Sequence, residues 1–236
     1  MENYLTLKDA ARCLGMSLKE ASREIGRADL KTVQYQGRNC YLRADIVDWL
    51  TREFGSLAVD KLVAAEQSNA EMVGVDPSAL LVTEKLFGKI ILPHKVGTAA
   101  SMLRTISSGA CGTGALYDEK ALLEQLIQRE KTVSTALRCG VALTHPLDVS
   151  KLYVEHSLLM LFRPPHPLPF GEKSGRLTAL FFLMVFPKAN EYLHILARLS
   201  RMLKSQNFIN DLLTAPDEDE MLNVIEERET ALVNKI

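Results

Sequence analysis

Apolar residues recur along this chain with two different periods, and the change between them divides it. Near the start, Leu14, Leu18, Ala21 and Ile25 fall on one helical face while Lys19 and Arg23 fall on another. Thr6, with Asp9 three residues on, predicts a capped helix through Cys13 that Gly15 breaks. Ser17-Leu18-Lys19-Glu20 is a capping box that starts a second helix at Leu18, with Gly26 as its stop. Two β-prone runs within 32–42 flank Gly37 and predict a hairpin. Arg43 opens a third helix with Ile46, Val47, Trp49 and Leu50 as core positions. Ser56 to Gln67 reads as an amphipathic helix, a spacer or a dimerisation arm, and Gln67 to Ser78, polar and carrying Gly74 and Pro77, reads as the linker.

From Leu80 the pattern alternates between strand and helix. Lys89 to Leu92, Val141 to Thr144, Val154 to Phe162 and Thr178 to Phe186 are strand candidates. Lys95 to Ser107, Asp118 to Arg129, Asn190 to Lys204, Asn207 to Leu213 and Glu218 to Val233 read as helices. Ser107 to Gly114 reads as a loop, Pro164 to Pro169 as a stiff connector, and the acidic stretch after Asp217 as a solvated helix face. The expected fold is α/β, a mixed sheet flanked by helices and preceded by a small helical domain, with no internal repeat. The expected division is 1–67, a linker over 68–78, and 79–236.

The 236 residues are 47% hydrophobic and 24% charged, ordinary for a soluble globular chain of one large or two modest domains. A net charge of −1 predicts no bulk attraction to nucleic acid or to an anionic membrane. The distribution is less even: six basic residues against three acidic ones between Lys19 and Arg43, and a strongly acidic stretch from Asp217 to Glu229. Cys13, Cys40, Cys111 and Cys139 are widely spaced with no Cys-x-x-Cys, which predicts reduced thiols in a cytoplasm and no zinc site. The start of the chain lacks a signal-peptide pattern, and the longest apolar run, Leu180 to Phe186, is too short to insert in a bilayer.

Residues 129–145 carry the chemistry. An arginine, two hydroxyls and a glycine precede a histidine that ends an apolar run. A neutral imidazole is a nucleophile near neutral pH, and a phosphoryl group arriving on it needs a cation and hydrogen-bond donors. Taken singly, His145 would end a buried strand and Arg129 a surface helix. The other signals are weaker. His94, His156 and His166 have no partner spacing, and Gly109 to Gly114 lacks the Gly-Lys-Ser/Thr of a phosphate loop.

The stretch resembles the active-site segment of the enzyme IIA components of the bacterial sugar phosphotransferase system, mannitol/fructose/nitrogen-regulatory type. That pattern reads Arg-Glu, a few residues, then Ser-Thr-Gly-Ile-Gly-Asn-Gly-Val-Ala-Ile-Pro-His. Arg129, Glu130, Ser134, Thr135, Gly140, Val141, Ala142 and His145 match it without a gap. The resemblance implies that His145 is the phosphoryl acceptor, Arg129 its cation, and Ser134 and Thr135 hydrogen-bonding groups for phosphate oxygens, with Gly140 letting the chain turn close to the ring. It implies no cofactor or metal. Ala136 and Arg138 replace glycines, Arg138 as a second cation, and Thr144 replaces a proline. The family's second histidine, in His-Leu-x-x-Leu-Ala-x-Leu, corresponds to Tyr192, with His194 two residues later and turned by about 200° on a helix. Tyr192 is then an uncharged hydrogen-bonding group for the phosphate.

Residues 3–54 resemble the excisionase/MerR-like winged helix-turn-helix domains, through Leu5-Thr6 to Gly15-Met16-Ser17, through Gly37-Arg38, and through Asp45-Ile46-Val47-Asp48-Trp49-Leu50. That resemblance implies DNA contact by Lys19, Arg23 and Arg27 at the groove helix and by Arg38 and Arg43 on the wing. Against it, residues 1–50 carry eight Lys/Arg and seven Asp/Glu, a small excess for a DNA-binding domain.

Together the two resemblances imply a cytoplasmic bacterial regulator that couples phosphorylation of His145 to DNA binding. Its partners would be a phosphocarrier protein of the phosphotransferase system and DNA, and it would be a homodimer. One alternative is a phosphocarrier enzyme IIA passing phosphate toward a sugar permease. Another is a degenerate interaction module with neither activity. Whether the chain is an enzyme stays open; if active, it is a phosphohistidine phosphotransferase component.

Overall fold

The computed structural model describes residues 4–54, 57–172 and 174–234. It divides into two compact units, Met1–Ala79 with Lys188–Arg201, and Leu80–Pro187 with Met202–Ile236.

In the first unit, β1 (Tyr4–Thr6) leads into α1 (Leu7–Cys13) and then α2 (Leu18–Arg27). Both capping boxes form: Thr6 and Asp9 satisfy each other's backbone at α1, as Ser17 and Glu20 do at α2. β2 (Thr32–Tyr35) and β3 (Arg38–Leu42) make the hairpin, and β1 adds to β3, giving an antiparallel sheet ordered β1-β3-β2. α3 (Arg43–Phe54) buries Ile46, Trp49 and Leu50. α4 (Val59–Val73) runs past Gln67, where the polar residues predicted a stop; Asn69 and Ala70 are fully buried, and Asn69 Nδ2 donates to the carbonyl of Cys13 at 2.7 Å. Ser56, the expected start of that helix, lies outside the described residues. Gly15, at φ +61°, makes the turn between α1 and α2, and a Cβ there would stand 2.5 Å from the backbone of Ala64.

The second unit begins with α5 (Leu81–Leu86), β4 (Ile90–Ile91), α6 (Ala99–Gly112) and α7 (Glu119–Thr132). β5 (Val141–Thr144), β6 (Leu158–Phe162) and β7 (Leu180–Val185) complete a mixed sheet ordered β4-β6-β7-β5, in which β4 is parallel to β6, β6 antiparallel to β7, and β7 parallel to β5. Every residue of β5, β6 and β7 is buried. Phe162, Phe181 and Phe182 have no exposed surface, each side chain stabilising the unit by about 1.5–3 kcal/mol. α6 continues through Gly109 to Gly112, where the glycines predicted a loop. Gly109 faces the sheet so closely that a Cβ would stand 3.1 Å from Ile91 Cδ1, so tertiary packing uses its lack of a side chain. β6 is shorter than its expected strand, because Val154 forms only an isolated bridge with Leu116.

α8 (Ala189–Leu203) follows β7, then α9 (Gln206–Thr214) and α10 (Glu218–Val233). Residues of α8 up to Arg201 group with the first unit. Tyr192 Oη and Thr51 Oγ1 are 2.7 Å apart, His194 Nδ1 donates to the carbonyl of Glu66 at 3.1 Å, and the Glu66 carboxylate accepts from Arg198 Nε and Arg201 Nη1. The acidic face of α10 is not wholly solvated as expected. Glu229 is fully buried, and its carboxylate accepts the Val82 and Thr83 amides at the start of α5, at 3.0 and 2.8 Å. The capping requirement of α5 draws it inside.

Candidate functional site

The last turn of α7 and the end of β5 are joined by a tight hairpin. Leu137 N–H donates to Val141 O at 2.7 Å, Leu143 N–H to Thr135 O at 3.1 Å, and Ala136 bridges Ala142. The same register sets Val133 opposite His145. Val133 also ends α7, so the hairpin brings the last turn of that helix back onto the ring.

Arg129 and His145, sixteen positions apart, meet there: Arg129 Nε–H donates to His145 Nε2 at 3.0 Å. Arg129 Nη1 also donates to the carbonyl of Val133. The other ring nitrogen, Nδ1, lies 2.8 Å from the carbonyl oxygen of Leu143. A carbonyl only accepts, so Nδ1 carries the proton and Nε2 the lone pair. The ring is 5% exposed and the guanidinium residue 1%. Burial, and then the Arg129 charge, push the His145 pKa from 6.5 down to about 3, against a smaller opposing effect of the Leu143 carbonyl. The imidazole is neutral at neutral pH, with its nucleophilic nitrogen directed at a cation. Opening the Arg129 contact is what an incoming group must do to reach Nε2.

The two hydroxyls expected to hold phosphate have protein partners. Ser134 Oγ donates to the carbonyl of Phe170 at 2.6 Å. Thr135 Oγ1 donates to the Glu130 carboxylate at 2.8 Å, and the Thr135 amide donates to the same group at 3.0 Å. Arg138 and Gly140 sit at the hairpin tip, at the opposite end of β5 from His145. Gly140 precedes His145 by five residues of extended chain, about 16 Å. Its φ of +82° serves the turn, and a Cβ there would stand 3.3 Å from Leu177 O. Tyr192 is bonded to Thr51.

Two contributors have little signature in sequence. Glu130 matched the motif without a role of its own, and it turns out to organise the hairpin. Gln125, one buried polar residue on α7, accepts the Asp148 amide on its side chain at 3.0 Å and so pins the chain after His145. Only a folded neighbour reveals such a helix-face amide.

In the first unit, Lys19, Arg23, Arg27 and Arg38 are exposed and Arg43 is half-buried at the start of α3. Glu24 pairs with both Arg23, at 3.0 Å, and Arg27, at 3.3 Å. The Arg23 hydrogen bond is the main cause holding the Glu24 carboxyl below its usual range. His94, His156 and His166 are exposed. Among the described residues, no group of three or more His, Cys, Asp or Glu is placed to hold a metal ion, and no helix is long and apolar enough to cross a membrane.

Comparison with known proteins covers residues 87–228, most of the second unit together with the Lys188–Arg201 segment of the first. A nitrogen regulatory protein of Bradyrhizobium diazoefficiens is 31% identical over 149 residues, 61% of this chain and 94% of that one. A mannitol-specific phosphotransferase enzyme IIA component of Geobacillus stearothermophilus is 24% identical over 138 residues, 58% of this chain and 92% of that one. The fold is shared with the nitrogen regulatory protein IIA-Ntr of Neisseria meningitidis, at a TM-score of 0.55 and 23% identity, over 61% of this chain and 99% of that one. It is also shared with the mannitol enzyme IIA of Escherichia coli solved in complex with phosphorylated enzyme IIB, at a TM-score of 0.51 and 20% identity, over 59% of this chain and 94% of that one. Residues 87–228 match the family model described as the phosphoenolpyruvate-dependent sugar phosphotransferase system, EIIA 2. With more than half of its length in that match, the chain belongs to the EIIA type 2 family of the phosphotransferase system.

Proposed function

We propose that this protein accepts a phosphoryl group on Nε2 of His145 from a phosphocarrier protein of the phosphotransferase system, and that residues 1–67 use the resulting state to regulate DNA binding. The observation that carries the first half is the pairing of Arg129 Nε with His145 Nε2 at 3.0 Å while Nδ1 is held by Leu143 O. In the transfer, the bond from phosphorus to nitrogen breaks in the donor's phosphohistidine and a new one forms at Nε2. Nδ1 keeps its proton, and Arg129, displaced from the lone pair, is at hand to neutralise the phosphoryl oxygens.

The second half is supported by the order of β1, α1, α2, the β2–β3 hairpin and α3, and by the exposed Lys19, Arg23 and Arg38. Phosphorylation would act by adding about two negative charges. The name of the Bradyrhizobium relative favours a regulatory role, and that of the Geobacillus relative favours its rival, a phosphocarrier feeding a sugar permease component. A DNA-binding head has no use in a dedicated phosphocarrier.

A non-phosphorylated interaction module is favoured by one set of contacts: Ser134, Thr135 and Tyr192 all bond within the protein. Incubation with phosphoenolpyruvate and the general phosphotransferase proteins separates the readings. Acid-labile phosphate on wild type and none on His145→Ala is the expected result, and no label on wild type moves the protein to the interaction-module reading. For the head, DNA retention that is lost in Lys19→Ala with Arg23→Ala is expected; retention unchanged in that variant rejects α2 as the groove helix.

A further inference from the structure

The geometry points to Glu130 as the residue that positions the proton-bearing side of His145, through a relay of hydrogen bonds that runs by way of Thr135 and Leu143 to Nδ1. Its bearing on catalysis rests on the reading of His145 as phosphoryl acceptor; its bearing on the tautomer does not.

Each link of the relay is short. The Glu130 carboxylate accepts Thr135 N–H at 3.0 Å and Thr135 Oγ1–H at 2.8 Å. The carbonyl of Thr135 accepts Leu143 N–H at 3.1 Å. The carbonyl of Leu143 accepts His145 Nδ1–H at 2.8 Å. The amide of Thr135 belongs to one peptide group and its carbonyl to the next, as at Leu143, so the relay transmits position and not electronic polarisation. A charge-assisted pair of bonds at its head is about twice as strong as neutral ones and holds the β-bridge register that aims Leu143 O.

The neighbouring residue makes the same choice from the other side. Arg129 Nε–H is a donor, so a proton on Nε2 would set two N–H groups against each other at 3.0 Å. Consecutive residues at the end of α7 therefore act on opposite ring nitrogens: Arg129 directly on Nε2, and Glu130 through two strand residues on Nδ1. This accounts for the side chain of Thr135 turning to Glu130 and away from the ring. Both oxygens of Glu130 come within 3.2 Å of the Thr135 amide, so the carboxylate offers that donor two charged acceptors. A glutamine keeps one acceptor oxygen and sets an NH2 against a donor.

Nitrogen-15 NMR of His145 tests this in the full-length protein at pH 7, alongside the rate of phosphorylation by the general phosphotransferase proteins. Wild type should show the Nδ1–H signature with a slowly exchanging ring proton. In Glu130→Gln, where Arg129 still disfavours a proton on Nε2, the Nδ1–H signature should shift as its bond to Leu143 O loosens and the ring proton should exchange about tenfold faster. The phosphorylation rate should fall about tenfold, at the lower end of the 10–100-fold carried by outer partners of ligating imidazoles. Thr135→Val, which removes one of the two clamp bonds, should shift the same signals in the same direction and serves where Glu130→Gln does not fold. An unchanged Nδ1–H signature and exchange rate in the folded variants overturn the proposal, even if phosphorylation slows. A shifted Nδ1–H signature in a protein whose wild type takes no phosphate upholds the positioning role and rejects only the acceptor reading.

Discussion

The Glu66 carboxylate and the Arg198 guanidinium form an ion pair shut off from water, with 1% and 0% of their side chains exposed. Arg201 Nη1 binds the second Glu66 oxygen at 2.6 Å, and the remaining Arg198 nitrogens donate to the carbonyls of Pro77, at 2.7 Å, and Ala79, at 3.0 Å. Two cations and one carboxylate thus tie α8 to α4 and to the chain that leaves α4. A buried pair is tolerable only while each charge keeps its partners.

Replacing Glu66 by glutamine removes the carboxylate that both guanidinium groups share. The expected cost is about 3–5 kcal/mol of stability. Chemical denaturation should show it, with hydrogen exchange rising in α4 and α8 together; a loss below about 1 kcal/mol would mean that water or another carboxylate takes over.

Gly15→Ala combines a left-handed backbone at φ +61° with a Cβ at 2.5 Å from the Ala64 backbone. Backbone cannot move aside as a flexible side chain can, so a loss of at least about 2–3 kcal/mol is expected. Near-wild-type Tm in the variant would show that α4 shifts freely.

His145 makes stability depend on pH. Its pKa falls from 6.5 to about 3 on folding, so between those values the unfolded chain binds a proton that the folded chain refuses. The associated stability is complete above about pH 6.5 and is lost as the pH falls toward 3, with a slope of at most about 1.4 kcal/mol per pH unit. His145→Gln should flatten the stability profile across that window by about this slope. Parallel profiles for the two proteins would contradict a buried neutral ring.

Glu229→Ala removes the acceptor for the Val82 and Thr83 amides at the start of α5. Leaving those donors without it in a buried place should cost about 1.5–3 kcal/mol. Glu226→Ala, at an exposed position of the same helix, is the control and should change stability by less than about 0.5 kcal/mol.

Much of the architecture is readable from local chemistry. Thr6 with Asp9 and Ser17 with Glu20 mark two helix starts because a cap needs only four consecutive residues. Gly37 between two β-prone runs marks the hairpin. The fates of Gly109, Asn69 and Glu229 are not readable, since each depends on what another element brings against it. The two glycines that punctuate Gly109 to Gly112 look like a loop until the sheet is there to press on Gly109.

The site divides along the same line. The sequence alone determined that an arginine and a histidine sixteen positions apart belong to one motif, and that the histidine ends a buried strand. Only the tertiary structure decided that Nδ1 holds the proton, that Ser134 and Thr135 bond to Phe170 and Glu130, that Arg138 stands at the far end of the strand, and that α8 packs with α4. Residue type states which hydrogen bonds a side chain can make. Which partner it takes depends on what the fold sets opposite it, and in the hairpin a turn two residues longer would pair Leu143 with a residue other than Thr135.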